Sequence, residues 1–199
     1  MKNQGSGKAA IFKSSDIIKI RRSFNQRHRC IFEIALFTGE RMGAVVQLKV
    51  SDVYADPINS IPHDKITFPA RTRKARPDGS RQTRQIAIHP ELAEHLKNYK
   101  PPREGYLFFT PNQKQEGHNH ITRRAIDKYW REQFLKLGMD KKGYSTHSPR
   151  RWLITQLASN GIAIKKIQQI TGHKNLNVLL GYIEASEEEL KSAIATVRI

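Results

Sequence analysis

Thr146-His147-Ser148-Pro149-Arg150-Arg151-Trp152 is the stretch on which the reading of this sequence turns. Ser148 is a preferred N-cap residue, and Pro149, whose missing N–H is no loss at the first helical position, opens a helix. Arg150 then falls in the first turn, where unpaired backbone amides and the positive helix end already favour an anion. A guanidinium added there makes a ready phosphate site, and His147, three residues before Arg150, reaches the same anion. Taken alone, the H-x-x-R spacing reads as a capped helix with two surface bases.

Two further stretches bear on the first. Downstream come Thr171-Gly172-His173-Lys174 and then Gly181-Tyr182-Ile183, with the tyrosine nine residues after the histidine. A phenol has a pKa near 10 and is a poor nucleophile unaided, so Tyr182 by itself reads as a core or interface residue. Upstream, Thr38-Gly39-Glu40-Arg41 puts another arginine directly after a helix-breaking glycine, on the first turn of a following helix. Read alone, Arg41 is an ordinary helix-start cation.

Around these stretches the chain reads as mainly α with a small antiparallel β-hairpin, an α+β fold in one domain. Residues 1–13 are a polar, flexible lead-in, and Ser14 or Ser15 caps a helix beginning near Asp16. Cys30 to Phe37 forms a helix without a polar face, which places it centrally, and Thr38-Gly39 ends it. The next helix turns Val45, Val46 and Leu48 inward. Between Lys65 and Ile88 apolar residues alternate on either side of the turn Pro77-Asp78-Gly79, the mark of a hairpin, here rich in arginine. Pro90 opens a helix to about Tyr99, Tyr106 to Phe109 is extended, and Ile121 to Leu137 is a longer amphipathic helix. Four helices close the chain, over 149–159, 163–171, 175–183 and 186–197.

Composition narrows the partner. Thirty-five Lys and Arg against eighteen Asp and Glu give a formal charge of +17, a field that draws in polyanions, so nucleic acid leads acidic membrane surfaces as partner class. The single cysteine, Cys30, rules out a disulfide framework and fits a reducing compartment. No apolar run approaches the roughly 20 residues that span a bilayer, so the expected setting is cytoplasmic and nucleoid-associated, without a membrane. His118-Asn119-His120 lacks the further ligands a metal site needs, and no metal is expected.

In this order, Arg41, His147-x-x-Arg150, Gly172-His173 and Tyr182 resemble the active-site signature of the tyrosine recombinases, the phage integrase family. The resemblance runs from about Ser14 to Ile199 and takes in the T-G-x-R segment with Leu48 and Ser51-Asp52, the central hairpin and the distance from G-H to tyrosine. It implies the catalytic-domain fold and site-specific cleavage and rejoining of double-stranded DNA through a 3′-phosphotyrosine, without cofactor or metal, by a homo-oligomer, a tetramer on paired sites. It implies that Tyr182 attacks the phosphate, that Arg41 and Arg150 grip the nonbridging oxygens, that His147 takes or relays the phenol proton and that His173 hydrogen-bonds the phosphate. A hairpin lysine serves as general acid in this family, and Lys74 is the lysine near the turn; contact with the DNA backbone is its other reading. Arg71, Arg73, Arg76, Arg81, Arg84, Arg151 and Lys174 are expected on the DNA.

The sequence departs from the family at three places. Where an acidic residue commonly stands three positions after the first arginine there is Ala44, and Glu40 either replaces it or is simply exposed. Pro149 stands where leucine is common, which suits a helix start. Only about thirteen residues precede the first helix, so the expectation is a catalytic domain without the helical DNA clamp that usually comes first, as an excised fragment or a naturally minimal enzyme. Without it, site affinity is expected to be modest and steeply salt-dependent, with a slope of about 0.9 per phosphate contacted. The segment after Tyr182 carries Leu190, Ile194 and Val197 at helical spacing and packs either on a neighbouring protomer or on its own domain. Two other functions fit part of the pattern: a non-catalytic DNA-binding protein of the same fold, and a type IB topoisomerase-like enzyme that relaxes one duplex.

Overall fold

The computed structural model describes residues 9–73, 79–110, 119–173, 176–181, 191 and 194–196. The chain forms two compact units, Met1–Leu153 and Ile154–Ile199. The first contains α1 (Ser14–Ser23), α2 (Gln26–Thr38), the short α3 (Met42–Val45), strands β1 (Tyr54–Asp56), β2 (Ile61–Pro62), β3 (Lys65–Phe68) and β4 (Arg84–Ala87), then α4 (Pro90–Lys97) and α5 (Arg123–Lys136). Helix α6 (Ser148–Ser159) crosses the division, and the second unit continues with α7 (Ile164–Thr171) and α8 (Leu176–Leu180). This is the mainly helical fold with a small antiparallel element expected from the sequence.

Helix α2 is central because nearly every side is apolar. Ile31, Phe32, Ile34 and Leu36 are fully buried, and around them pack Ile17 and Ile20 of α1, Leu92 and Leu96 of α4, Ile66 and Phe68 of β3, and Ile126, Trp130 and Phe134 of α5. Phe12, Phe24, Phe32, Trp130, Phe134 and Tyr144 form a continuous set of edge and tilted ring contacts, the geometry aromatic pairs prefer. One charge interrupts α2. Glu33 is buried and accepts two hydrogen bonds from Arg21, at 2.7 and 2.9 Å, which compensates the lost hydration of both groups.

The strands pair in twos. Strands β3 and β4 are antiparallel in the register Lys65↔Ala87 to Phe68↔Arg84, as the alternation predicts. The β1–β2 pair was not foreseen; its turn is closed by the Asp56 carboxylate, which accepts from the amides of Ile58 and Asn59. Three helix starts also differ from expectation. Lys13, not a serine, is the N-cap of α1, and the hydroxyl of Ser148 accepts from Ser145 N rather than from an amide of α6. Helix α3 is a single turn with Arg41 as its N-cap, since Gly43 and the β-branched pair Val45-Val46 are weak helix formers.

At the end of α2, Gly39 adopts the left-handed conformation with φ 60°, and a Cβ there would lie 2.8 Å from Leu153 Cδ2. Backbone strain and overlap act together at this position. Gly39→Ala is expected to destabilise the protein by about 2 kcal/mol or more, read as a lower urea midpoint at unchanged slope.

The second unit has its own small core of Ile154, Ile167 and Leu179, with Leu157, Ala158 and Ile162 packed against it. Gly172, with φ 65°, caps α7 and turns the chain directly into His173. Among the described residues no helix is long and apolar enough to cross a membrane.

Candidate active site

The loop between α2 and α3 is hydrogen-bonded residue by residue. The Thr38 hydroxyl donates to Ile34 O and accepts from Glu40 N at 3.2 Å, and the Glu40 carboxylate accepts from Arg41 N at 3.0 Å. These bonds hold a chain segment that has left the helix, and Arg41 ends up exposed at its tip. Arg150 reaches the same loop from the first turn of α6, where its Nη1 donates to Gly39 O at 2.6 Å. Arg150 is only 4% exposed, so it braces the fold as well as carrying charge.

Beside this loop lies a cavity of about 240 Å³ whose walls include Arg41, Thr72, Arg73, Arg123, Thr146 and His147. Glu40 also lines this space and pairs with Arg73, so Arg41, Arg123 and His147 are the groups left to suit an anion of phosphodiester size. A larger cavity of about 570 Å³ lies against α2 and α4, lined by Arg21, Arg29, Glu91, Glu94 and His95. The absence of every sequence-selected residue sets it apart from the chemistry.

His147 keeps a face open to solvent, yet desolvation by the walls, followed by the charges of Arg123, Arg41 and Arg150, pulls its pKa below the ordinary imidazole value, with Asp127 opposing. The folded protein therefore favours a neutral ring able to accept a proton. On acidification the unfolded chain takes up that proton first, so this residue's contribution to stability declines as pH falls below the ordinary value of about 6.5. Arg123→Gln removes the largest of the opposing charges. The His147 titration midpoint, followed by imidazole NMR shifts, should move upward, whereas an unmoved or lowered midpoint would mean that Arg123 does not act on the ring.

Arg123 was not singled out in the sequence, although a signal existed. It is the first residue of α5 behind the N-cap Thr122, a cation at the positive end of a helix, where cations are disfavoured.

Other sequence-selected residues have different surroundings. The guanidiniums of Arg73 and Arg84 face Glu40, at 3.2 and 3.0 Å, instead of extending to solvent. Arg151, expected on DNA, is buried and donates to Ala9 O, because its position on α6 faces inward. Arg71 remains half-exposed near Asp52, and Arg81 is exposed and donates to Arg71 O. Lys74, Arg76, Lys174 and Tyr182 lie outside the described residues, as does most of the segment after Tyr182.

His173 belongs to the second unit, where its Nδ1 lies 2.7 Å from Thr171 Oγ1, and that hydroxyl donates to Ile167 O. With the threonine proton so engaged, the assignment that satisfies both bonds puts a proton on Nδ1 and leaves Nε2 as the nitrogen not used by Thr171.

Solved structures share this fold. XerA recombinase superposes with TM-score 0.72 at 20% identity, over 99% of this chain and 67% of that one. The catalytic domain of bacteriophage HP1 integrase does so with TM-score 0.62 at 22% identity, over 95% of both chains. Among sequences, a tyrosine recombinase of Pseudothermotoga lettingae is 29% identical over 175 residues, 85% of this chain and 54% of the relative. Tyrosine recombinase XerD of Lacticaseibacillus casei is 24% identical over 168 residues, 82% and 52% of the two chains. The chain thus spans about half the length of the curated relatives it matches. The sequence model of the phage integrase family matches residues 11–189, nearly the whole chain and every landmark from Thr38 to Tyr182, and the chain belongs to that family.

Proposed function

We propose that this chain is the DNA-breaking and rejoining part of a site-specific recombinase that works through Tyr182. The observation that carries the reading is the small cavity where Arg41, Arg123 and a His147 held below its ordinary pKa stand together, with Arg150 anchored on the adjoining Gly39. Arg41 and Arg150 bind the nonbridging oxygens and stabilise the charge that grows on the phosphate in the transition state. Neutral His147 takes the phenol proton as the Tyr182 oxygen attacks phosphorus. The P–O5′ bond breaks, Lys74 protonates the departing 5′-oxygen, and a 3′-phosphotyrosine remains. His173 hydrogen-bonds the phosphate. A 5′-hydroxyl from another strand reverses the steps, and because the phosphoester bond is conserved in the protein link, no nucleotide hydrolysis is needed.

Double-stranded DNA is the substrate, held in the proposed assembly by a homotetramer on paired sites in the cytoplasm. The exposed Arg71 and Arg81, with Arg76 and Lys174, supply backbone contacts. Related folds have been captured on DNA: XerH is bound to its difH substrate, and the Tn1549 transposon integrase is bound to a circular intermediate.

Covalent trapping tests the reading. The protein is mixed with fragmented DNA of the source organism and its mobile elements, denatured, and the DNA that stays attached is sequenced. Adducts through a 3′-phosphate that share one core sequence are expected. Binding without adducts would assign a DNA-binding role instead, and relaxation of supercoils without joining of two sites would assign a topoisomerase.

A further inference from the structure

We infer that Thr171 is a positioning residue for His173: its hydroxyl, itself anchored on the Ile167 carbonyl, holds the ring by Nδ1–H and so makes Nε2 the nitrogen that meets the phosphate. The inference rests on the recombinase reading and adds a residue to it.

The bonds run from the core of the second unit to the ring. Ile167 is fully buried, in the cluster it forms with Ile154 and Leu179. One turn on, at the last position of α7, the Thr171 hydroxyl donates to Ile167 O at 2.7 Å, a bond within reach of a helical threonine. Gly172 then takes the left-handed conformation, φ 65°, with its N–H donating to Gln168 O at 2.8 Å, and that turn sets Nδ1 of His173 2.7 Å from the same hydroxyl. Both side chains are buried, where a polar group without a partner is costly. A carbonyl can only accept, so the hydroxyl proton is committed to Ile167 O. What the oxygen still offers is a lone pair, and Nδ1 engages it as a donor.

The consequence falls on the other nitrogen. A neutral imidazole carries one hydrogen, and with Thr171 holding it on Nδ1 the Nε2 atom is an acceptor. A phosphodiester brings no proton of its own, so the hydrogen bond assigned to His173 in the reaction requires a second hydrogen, on Nε2. On DNA the ring is then an imidazolium, which adds its positive charge to those of Arg41 and Arg150 in the transition state. A side chain without the hydroxyl would let the neutral ring keep its hydrogen on Nε2 and donate without that charge. Metal-bound histidines are oriented in the same way, by an outer partner on the second ring nitrogen.

Long-range nitrogen–proton NMR reads the ring. At about pH 8.5, well above the ordinary imidazole value, wild type should show His173 with its hydrogen on Nδ1, the signal being assigned among the eight histidines by its loss in His173→Gln. A hydrogen on Nε2 instead would overturn the inference, and this result needs no change at Thr171. Thr171→Val keeps the branched shape and removes the hydroxyl, so the Nδ1–H form should give way to Nε2–H, whereas Thr171→Ser should retain Nδ1–H. An unchanged tautomer in Thr171→Val overturns the inference. With Tyr182→Phe bound to the duplex recovered by trapping, both ring nitrogens should carry hydrogen; hydrogen on Nδ1 alone would overturn it as well. On a saturating concentration of that duplex, adduct formation by Thr171→Val should slow on the order of tenfold or more, and by Thr171→Ser less than about threefold. DNA affinity should not move, because no charge is altered. A loss that serine does not rescue, or one confined to affinity, would make Thr171 a packing residue and sink the idea. Wild type that makes no adduct, but whose ring hydrogen leaves Nδ1 in Thr171→Val, would count against the recombinase reading while upholding the hold on the ring. Should Thr171→Val fail to fold, the wild-type spectrum still decides.

Discussion

Tyr182→Phe should form no covalent adduct with DNA while binding it as wild type does. On the proposed mechanism the substitution removes the oxygen that would attack phosphorus, so the expected loss is complete rather than graded. It removes no charge from a chain carrying +17, so affinity and its salt dependence should be unchanged. The assignment is sharpened by the fates of the other five tyrosines in the sequence. Tyr54 and Tyr99 are buried, which pushes both phenols well above their ordinary pKa, and Tyr54 already donates to Leu96 O. Burial and the neighbouring Asp16 push Tyr144 up to about 12. The Tyr129 hydroxyl accepts from Asn25 N with its ring stacked on His28, and Tyr106 packs against His120 with Lys49 over its ring. Each is built into a wall. An adduct persisting in Tyr182→Phe, shown on a denaturing gel, would therefore point away from tyrosine chemistry altogether.

The parts of the fold legible in the sequence were those with strong periodicity or a clear stop. Helix α2 announced itself by its apolar run and Gly39, α4 by Pro90, and the β3–β4 register by alternation around Pro77-Asp78-Gly79. The β1–β2 pair escaped because its strands have three and two residues, too few for a pattern, although Asp56-Pro57-Ile58-Asn59-Ser60 is rich in turn formers. Charged residues were harder to place than apolar ones. Glu33, Arg150 and Arg151 are all buried, and nothing in a linear pattern distinguishes a buried, matched charge from an exposed one. Glu40 shows why: its partners Arg73 and Arg84 lie 33 and 44 residues away, so its role exists only once the hairpin has folded back. Family membership, in contrast, was legible in the sequence, since Arg41, His147, Arg150 and His173 sit at or beside helix ends, where sequence signals are strongest, and the phage integrase family model covers them all.

Arg150 brings both kinds of role together, and its variants should separate them. Arg150→Ala removes the proposed transition-state cation, with an expected loss of at least about a hundredfold in adduct formation, and also strips Gly39 O of its 2.6 Å partner in a buried setting. An unsatisfied buried carbonyl costs about 1–3 kcal/mol, so the urea midpoint should fall too. Arg150→Lys keeps the charge and a donor on a flexible stem but loses the planar fork. Stability should then recover much of the loss while adduct formation stays low, because an ammonium cannot hold Gly39 O and a phosphate oxygen at fixed geometry together. Arg41→Ala offers the contrast: Arg41 is exposed at the N-cap of a single-turn helix, so adduct formation should drop comparably with the urea midpoint unmoved. If Arg150→Lys cleaved DNA at the wild-type rate, the guanidinium would be a brace for the α2 end alone, and the phosphate grip would pass to Arg41 and Arg123.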